Sequence, residues 1–463
     1  MNETKITTWF AGAAVVLTVL AILLAPGRIT PSAFLDQGEQ FFPAFTNPND
    51  AVTLEVFDYD EATGAARPFK VTFSNGRWII PSHNNYPADA KDRLAKTAAG
   101  VIGIVKDDFR SDNAADHEFC GVVDPLDQAA VGVSGRGKRV TLKGTDDKVL
   151  ADFIVGKEVE GRPGFRFVRV PGQKRVYAVR MNIDLSTRFE DWINADLLEI
   201  DKGRIDKVTL KDYSINERTL RIEERDNLIL TRKDNNWTAN RMSALQHVDS
   251  TKMQDLLKAI DELKVVGVRP KPTGISRNLQ ANAGGAQINL NDRLSLQSKG
   301  FYFTREGDLK SNEGEMLVYA TDGVVYTLRF GEVLYGSGTA VSAGAEGGEE
   351  SKTGAAENRY LFITTSFDPS ATPEPPRAVD MSFMNKPDSL LTDGEREQRR
   401  IHTEHERWQR RIDEGKKKSE ELNSRFADWY YVISAASFDQ LHLNRKDLVA
   451  AKKETKPQPD STG

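Results

Sequence analysis

The sequence predicts an α+β protein: an N-terminal transmembrane helix, two repeated modules that are each an antiparallel-rich sheet with a packed helix, and a C-terminal helical arm inserted in the second module. Three observations lead there. A matched series of strand, turn and helix signals occurs twice, a long uncharged run opens the chain, and a charge-dense helical stretch separates two strands near the C-terminus. At 463 residues the chain exceeds what one core usually fills, which agrees with two domains of ordinary size.

In chain order, the first element is the run from Ile6 to Gly27, about 22 uncharged residues between Lys5 and Arg28. At about 1.5 Å per residue it is long enough for a bilayer core of roughly 30 Å, so residues 6–27 are expected to be a transmembrane anchor with the lipid bilayer as its partner. A cleaved secretory signal is the competing reading, against which Pro31 and Ala33 make a poor small-x-small cleavage site. Lys5 and Arg28 nearly balance. A very short tail before the run and a polar-rich bulk after it suit a single pass in the inner membrane, with the bulk on the extracytoplasmic side. Residues 28–50 carry three prolines and form a linker, which Phe41, Phe42 and Phe45 are expected to pin to the first module.

The first repeat module spans 51–200. Its strand FKVTF meets a turn at Ser74, Asn75 and Gly76, and Arg77 and Trp78 follow. Asp89 is an N-cap candidate for a helix whose Leu94, Ala98, Val101, Ile102 and Val105 recur at helical spacing. A loop at GVVDP (Gly121 to Pro125) leads to strands near 138–143, 149–155, 165–170 and 175–180, and a short helical piece is expected around 184–198.

The second repeat module spans 205–449 and writes the same series again. A strand reaches a turn at Asp234, Asn235 and Asn236, Trp237 follows, and Asp249 is placed to cap a helix bearing Met253, Leu256, Leu257, Ile260 and Leu263. VTLEVFDY from Val52 matches VTLKDYSI from Val208, and VLADFIVGK ending at Lys157 matches VVYTLRFGE ending at Glu332. One chance Trp-to-Asp spacing is cheap; a matched series is not. Trp78 and Trp237 are expected to seal a sheet-helix core, a ligand platform being the sharper alternative.

The second module is about 95 residues longer, through three insertions. One is a longer connection near 270–300. Another is the Gly-, Ala- and Glu-rich loop 336–358, whose composition predicts disorder. The third, 368–427, separates RYLFITT from its hairpin partner WYYVIS and becomes the helical arm. Along the arm Ile401, Trp408, Ile412, Leu422 and Phe426 form a weak seam, interrupted at Gly415 and Ser419, that wants another surface. That surface is either its own module or a partner, so these five are the candidate partner-binding residues. Residues 450–463 form a polar tail expected to be disordered.

Composition restricts the chemistry. A net charge of −5 without a long basic block argues against nucleic acid as a partner. The single cysteine, Cys120, excludes an internal disulfide framework and a Cys-based zinc site. His402 and His405 within HTEHE superficially suggest a metal, but a helical pair without an outside ligand is commonly solvated. GVSGRGKR (Gly132 to Arg139) leads into a strand, so its glycines lack the helix dipole that phosphate binding needs. No Walker-type, GxSxG, HExxH or paired CxxC motif occurs. No catalytic, metal or cofactor residue is assigned, and no cofactor is expected.

GRWIIPSHNNYPADAKDRL, GVVDP, IVGK, RVYAV and WINADLLEID together resemble an uncharacterised bacterial domain-of-unknown-function family encoded beside gliding-motility-type ABC transporter components. The resemblance covers most of residues 45–335 and departs at the arm and the Gly-rich loop. It implies a membrane-anchored, non-catalytic accessory or scaffold of an envelope complex, with membrane subunits of an ABC-type complex as partners. The family supplies no catalytic residues to carry over. The rival reading is an extracytoplasmic hydrolase or binding module acting on envelope glycan or peptide.

Overall fold

A computed structural model describes residues 3–24, 36–61, 64–129, 132–194, 196–216, 218–234, 236–272, 274–275, 277, 279, 288–336, 341–343 and 357–452. The opening helix α1 spans Glu3–Leu24, yet among the described residues no helix is long and apolar enough to cross a membrane. The expected transmembrane helix at 6–27 and the single-pass inner-membrane placement are overturned on this finding. Most of the loop expected to be disordered at 336–358, and residues 453–463 of the tail, lie outside the described residues.

The chain divides into two compact units, one of residues 1–68 and 94–185, the other of 69–93 and 186–463. Both are rich in antiparallel sheet. Strand β1 (Thr53–Asp60) opens the first unit, and β2 (Ala65–Ser74), β3 (Arg77–Ile80) and β4 (Tyr86–Pro87) form the following ribbon. Asn75 and Gly76 take φ of 52° and 78°, so left-handed backbone makes the tight turn that faces Phe73 with Trp78. Helix α2 (Lys91–Ile102) buries Leu94, Thr97, Ala98 and Val101. Strand β5 (Asp108–Ser111) and the single-turn helix α3 (His117–Cys120) come next, then β6 (Lys138–Lys143), β7 (Val149–Glu158), β8 (Phe165–Arg169) and β9 (Val176–Arg180).

Within the first unit the strands are ordered β1-β6-β7-β8-β9-β5. Phe41 and Phe45 are buried; the Phe41 ring lies 5.2 Å from Tyr177 and Phe42 lies 5.6 Å from Phe153, so the aromatic residues before β1 are pinned on this sheet.

In the second unit β10 (Ile205–Asn216), β11 (Arg221–Lys233), β12 (Asn236–Ala239) and β13 (Gln246–Val248) lead to helix α4 (Ser250–Asp261) and strand β14 (Gly267–Pro270). Helix α5 (Leu290–Gln297), β15 (Phe301–Phe303) and β16 (Leu309–Ser311) follow, then β17 (Glu315–Ala320), β18 (Val324–Tyr335) and β19 (Glu357–Phe367). The long helix α6 (Asp393–Phe426) precedes β20 (Trp429–Ser434), α7 (Ala435–Leu441), α8 (Arg445–Leu448) and β21 (Val449–Ala451). The main sheet runs β12-β11-β10-β17-β18-β19-β20-β14. Its segment β10-β17-β18-β19-β20-β14 has the same order, and the same antiparallel sense, as β1-β6-β7-β8-β9-β5.

Trp78 and Trp237 are half-buried, so the expectation that they seal a core is corrected. For Trp237 the reason is position: β12 is the edge strand of its sheet, and an edge residue has neighbours on one side only; Trp78 lies on β3, between β2 and β4, with its ring 5.4 Å from the exposed Phe73. The fully buried indole is Trp192, whose ring lies 5.6 Å from Phe69. Residues 69–93 and 186–200, expected in the first module, belong to the second compact unit. Aromatic packing explains this. His83 stacks on Phe189 at 4.7 Å, and Tyr86 meets Phe189 at 5.4 Å and Trp429 of β20 at 5.0 Å.

Candidate functional site

The arm is the element that breaks the repeat, and its helix α6 has a local cause at each end. Thr392 and Glu395 form a reciprocal capping box: the Thr392 hydroxyl accepts from the Glu395 amide at 3.3 Å, and the Glu395 carboxylate accepts from the Thr392 amide at 2.9 Å. Lys386 pairs with the same carboxylate, and these bonds hold its pKa down to about 2. Along the exposed faces Arg400–Glu404 and Lys417–Glu421 are i,i+4 pairs, which solvent screens so that they add little. The helix reaches Phe426, directly before β20.

The inner half of α6 is seated on β18 and β19. Ile412, Gly415, Ser419, Leu422 and Phe426 are its buried residues, at alternating steps of three and four. Gly415 is where the helix comes closest. A Cβ there would press on the Asp322 carbonyl oxygen and lie 2.6 Å from the Phe367 ring. The Thr365 hydroxyl donates to the Ser419 carbonyl at 2.7 Å, and the Thr365 amide donates to the Asn423 side chain at 3.2 Å. Lys418 reaches the Glu199 carbonyl at 3.1 Å, and Arg425 pairs with the Glu199 carboxylate at 2.5 Å. The two small residues that interrupt the apolar seam in sequence are thus the points of closest approach in the fold.

The outer half is braced by the segment leading into it. Trp408 donates from Nε1 to the Thr372 carbonyl at 2.7 Å, His405 lies 3.2 Å from Glu374, and Phe383 is buried with its ring 5.6 Å from His402. Asp388 pairs with Arg399. Beyond this bracing the segment exposes apolar side chains among charged ones such as Arg377, Lys386 and Asp388: Val379 is 93% exposed, Leu390 69%, Met384 59% and Met381 42%. Single exposed apolar residues are ordinary; here four fall within twelve positions of one segment.

The five seam residues therefore divide. Ile412, Leu422 and Phe426 pack inside the chain, while Ile401 and Trp408 are half-buried under the bracing segment. Asp249 caps α4 through the amides of Thr251 and Lys252. Asp89 precedes α2 by two positions, and its own amide donates to the Trp192 carbonyl at 2.8 Å. The exposed apolar set 379–390 went unread in sequence, since scattered apolar residues in a Pro-rich strip carry no periodicity.

Two further clusters are structural. His83, buried, lies 2.9 Å from the Ser342 hydroxyl and 3.0 Å from that of Ser82, and burial first, then the Arg269 charge, push its pKa down to about 4. Glu315, on β17, sits buried among Lys211 at 2.8 Å, Arg329 at 3.3 Å and Lys310 at 3.6 Å; burial raises its pKa, and these cations outweigh that and lower it. His402 is engaged by Glu406 at 3.3 Å, and among the described residues no group of three or more metal-ligating side chains forms.

Residues 78–281 match the model of a family described as a domain of unknown function, DUF4340. The match is consistent with the resemblance to an uncharacterised family. No curated protein and no solved structure matches the chain.

Proposed function

We propose that this chain is a non-catalytic accessory or scaffold protein whose arm docks a subunit of an ABC-transporter-type or gliding-motility-like envelope complex. The observation that carries the reading is the arm itself. A 34-residue helix is fixed at its inner half by a close backbone approach and buried side chains, and its outer half supports an exposed apolar set at Val379, Met381, Met384 and Leu390. Ordering such a segment costs conformational entropy, which the seat offsets before any partner arrives, so docking needs little further ordering. Methionines suit such a surface because an unbranched thioether adapts to the partner's shape. The kind of complex comes from the family resemblance alone.

Deleting 368–427 is a poor test, because Ile412, Leu422 and Phe426 would leave the core with it. The better variant is the full chain carrying Val379→Asp, Met384→Asp and Leu390→Asp, compared with the parent in detergent pull-downs from the native cell. The parent is expected to recover transporter-type membrane subunits, and the variant to lose them while melting within a few degrees of the parent. Equal recovery by a folded variant, or no such subunit with the parent, contradicts the reading.

A further inference from the structure

The GVVDP loop of the first unit is not used by the arm, and a pocket of about 440 Å3 opens beside it. The loop is built tightly. Gly121 closes α3 with φ of 68°, and a Cβ on Gly156 of β7 would lie 2.7 Å from Val122, so β7 runs directly beneath the loop. Asp124 spends its carboxylate on Arg139 at 3.0 Å and on the Leu126 amide at 2.9 Å, and Arg139 is paired again with Asp152 at 2.7 Å.

Arg169, at the end of β8, is different. Its side chain lines the pocket and the residue is only 6% exposed. Its two hydrogen bonds go to neutral groups, from Nε to the Val122 carbonyl and from Nη1 to the Gln173 carbonyl, both at 2.9 Å. Burial lowers its pKa, and Asp124 and Asp127, which line the same pocket, oppose this through charge without an ion-pair contact to it. A buried guanidinium without a contacting anion is costly, and Nη2, which has no bond to the described residues, is left to donate to a carboxylate. Lys174 adds a second cation to the lining, while Val123 and Leu126 supply an apolar wall. The volume suits a ligand the size of an amino acid or the end of a chain.

We propose that this pocket binds a ligand by its carboxylate, held by Arg169 with Lys174 beside it, and with an apolar group against Val123 and Leu126. The carboxylate belongs either to a small free acid or to the C-terminus of a polypeptide; the chemistry recognised is the same. The inference is independent of the arm.

The test titrates the full chain, followed by ligand-observed NMR, with N-acetyl-leucine, N-acetyl-leucine amide, and a leucine-terminated tetrapeptide with free or amidated C-terminus. The free acids are expected to bind about tenfold or more tighter than the amides, the scale of a lost charge-assisted hydrogen bond. A tetrapeptide acid tenfold tighter than N-acetyl-leucine identifies a chain terminus as the source, and equal affinity a small acid. Arg169→Gln removes the charge but also the bracing of two carbonyls, so Lys174→Ala and Leu126→Asp, both exposed positions, are the controls that keep the fold. Each is expected to weaken the acids several-fold with unchanged melting. Acid and amide binding equally, no binding of either acid at millimolar concentration, or undiminished binding by both folded variants overturns the proposal.

Discussion

The two sheets share an order of six strands and differ most at one connection. Between β8 and β9 the chain turns in six residues, 170–175; between the corresponding β19 and β20 it travels through 368–428. Gly172, Gln173 and Lys174 of the short turn line the Arg169 pocket, whereas the long connection builds the arm and its exposed apolar set. Two sheets of the same strand order thus differ where backbone bonding does not constrain the chain. Strand order is fixed by ladder pairing, but a hairpin connection lengthens at a small entropic cost.

The largest expected effect separates the two kinds of tryptophan. Trp192→Ala removes a fully buried indole and should cost about 3–5 kcal/mol, whereas Trp237→Ala on an edge strand should cost roughly half of that or less. Denaturant melts of the two variants measure it, and equal losses would return Trp237 to the core.

Next comes the connection itself. Gly415→Ala has no room against Asp322 and Phe367 and should cost about 1–3 kcal/mol, with faster hydrogen exchange confined to α6. Gly172→Ala has nothing within 4 Å but a φ of 78°, so it should cost about 1 kcal/mol through backbone strain and leave α6 unchanged. An unaltered α6 in the Gly415 variant would mean the arm is not seated there.

The pH response sharpens the picture of the second unit. His83 has its pKa lowered from 6.5 to about 4 in the folded chain, so folding favours neutral imidazole and the unfolded state binds more protons between those values. Its contribution is complete above about pH 6.5 and is lost as pH falls toward about 4. His83→Gln should therefore flatten the slope of the stability profile across that window and leave the slope near pH 8 unchanged, while the lost Phe189 stacking lowers the whole curve. A slope identical to the parent's would remove His83 from this role.

The smallest contrast lies between the repeat's two aspartates. Asp249→Ala loses a double N-cap bond and should cost about 1 kcal/mol, while Asp89→Ala, two positions ahead of its helix, should cost a few tenths. Thermal melts check both, and equal costs would restore the symmetry read from the sequence.

Local features were legible in the sequence and distant ones were not. The turns before Trp78 and Trp237, the apolar face of α4 and its Asp249 cap are short-range patterns, and each has a place in the fold. Burial is a property of neighbours, so Trp237 on an edge strand and Trp192 in the core look alike in a string of letters. In sequence the seam of α6 is interrupted at Gly415 and Ser419, small residues that carry no apolar signal, yet in the fold they mark close approach. His83 and Ser342 lie 259 positions apart, and Arg169 meets Val122 across 47; no spacing rule joins either pair. The uncharged opening run predicts a membrane span, yet among the described residues no helix is long and apolar enough to cross a membrane.

Site-specific photocrosslinking reports whether the arm holds a partner. A benzophenone side chain placed at Met384, at the outer part of the arm, is compared in the native cell with one at Gly172, in the short turn that occupies the same place in the repeat. The account predicts a discrete adduct with a transporter-type membrane subunit from position 384 and none with that subunit from 172. No adduct from 384, or the same adduct from both positions, would contradict an arm built to hold a partner.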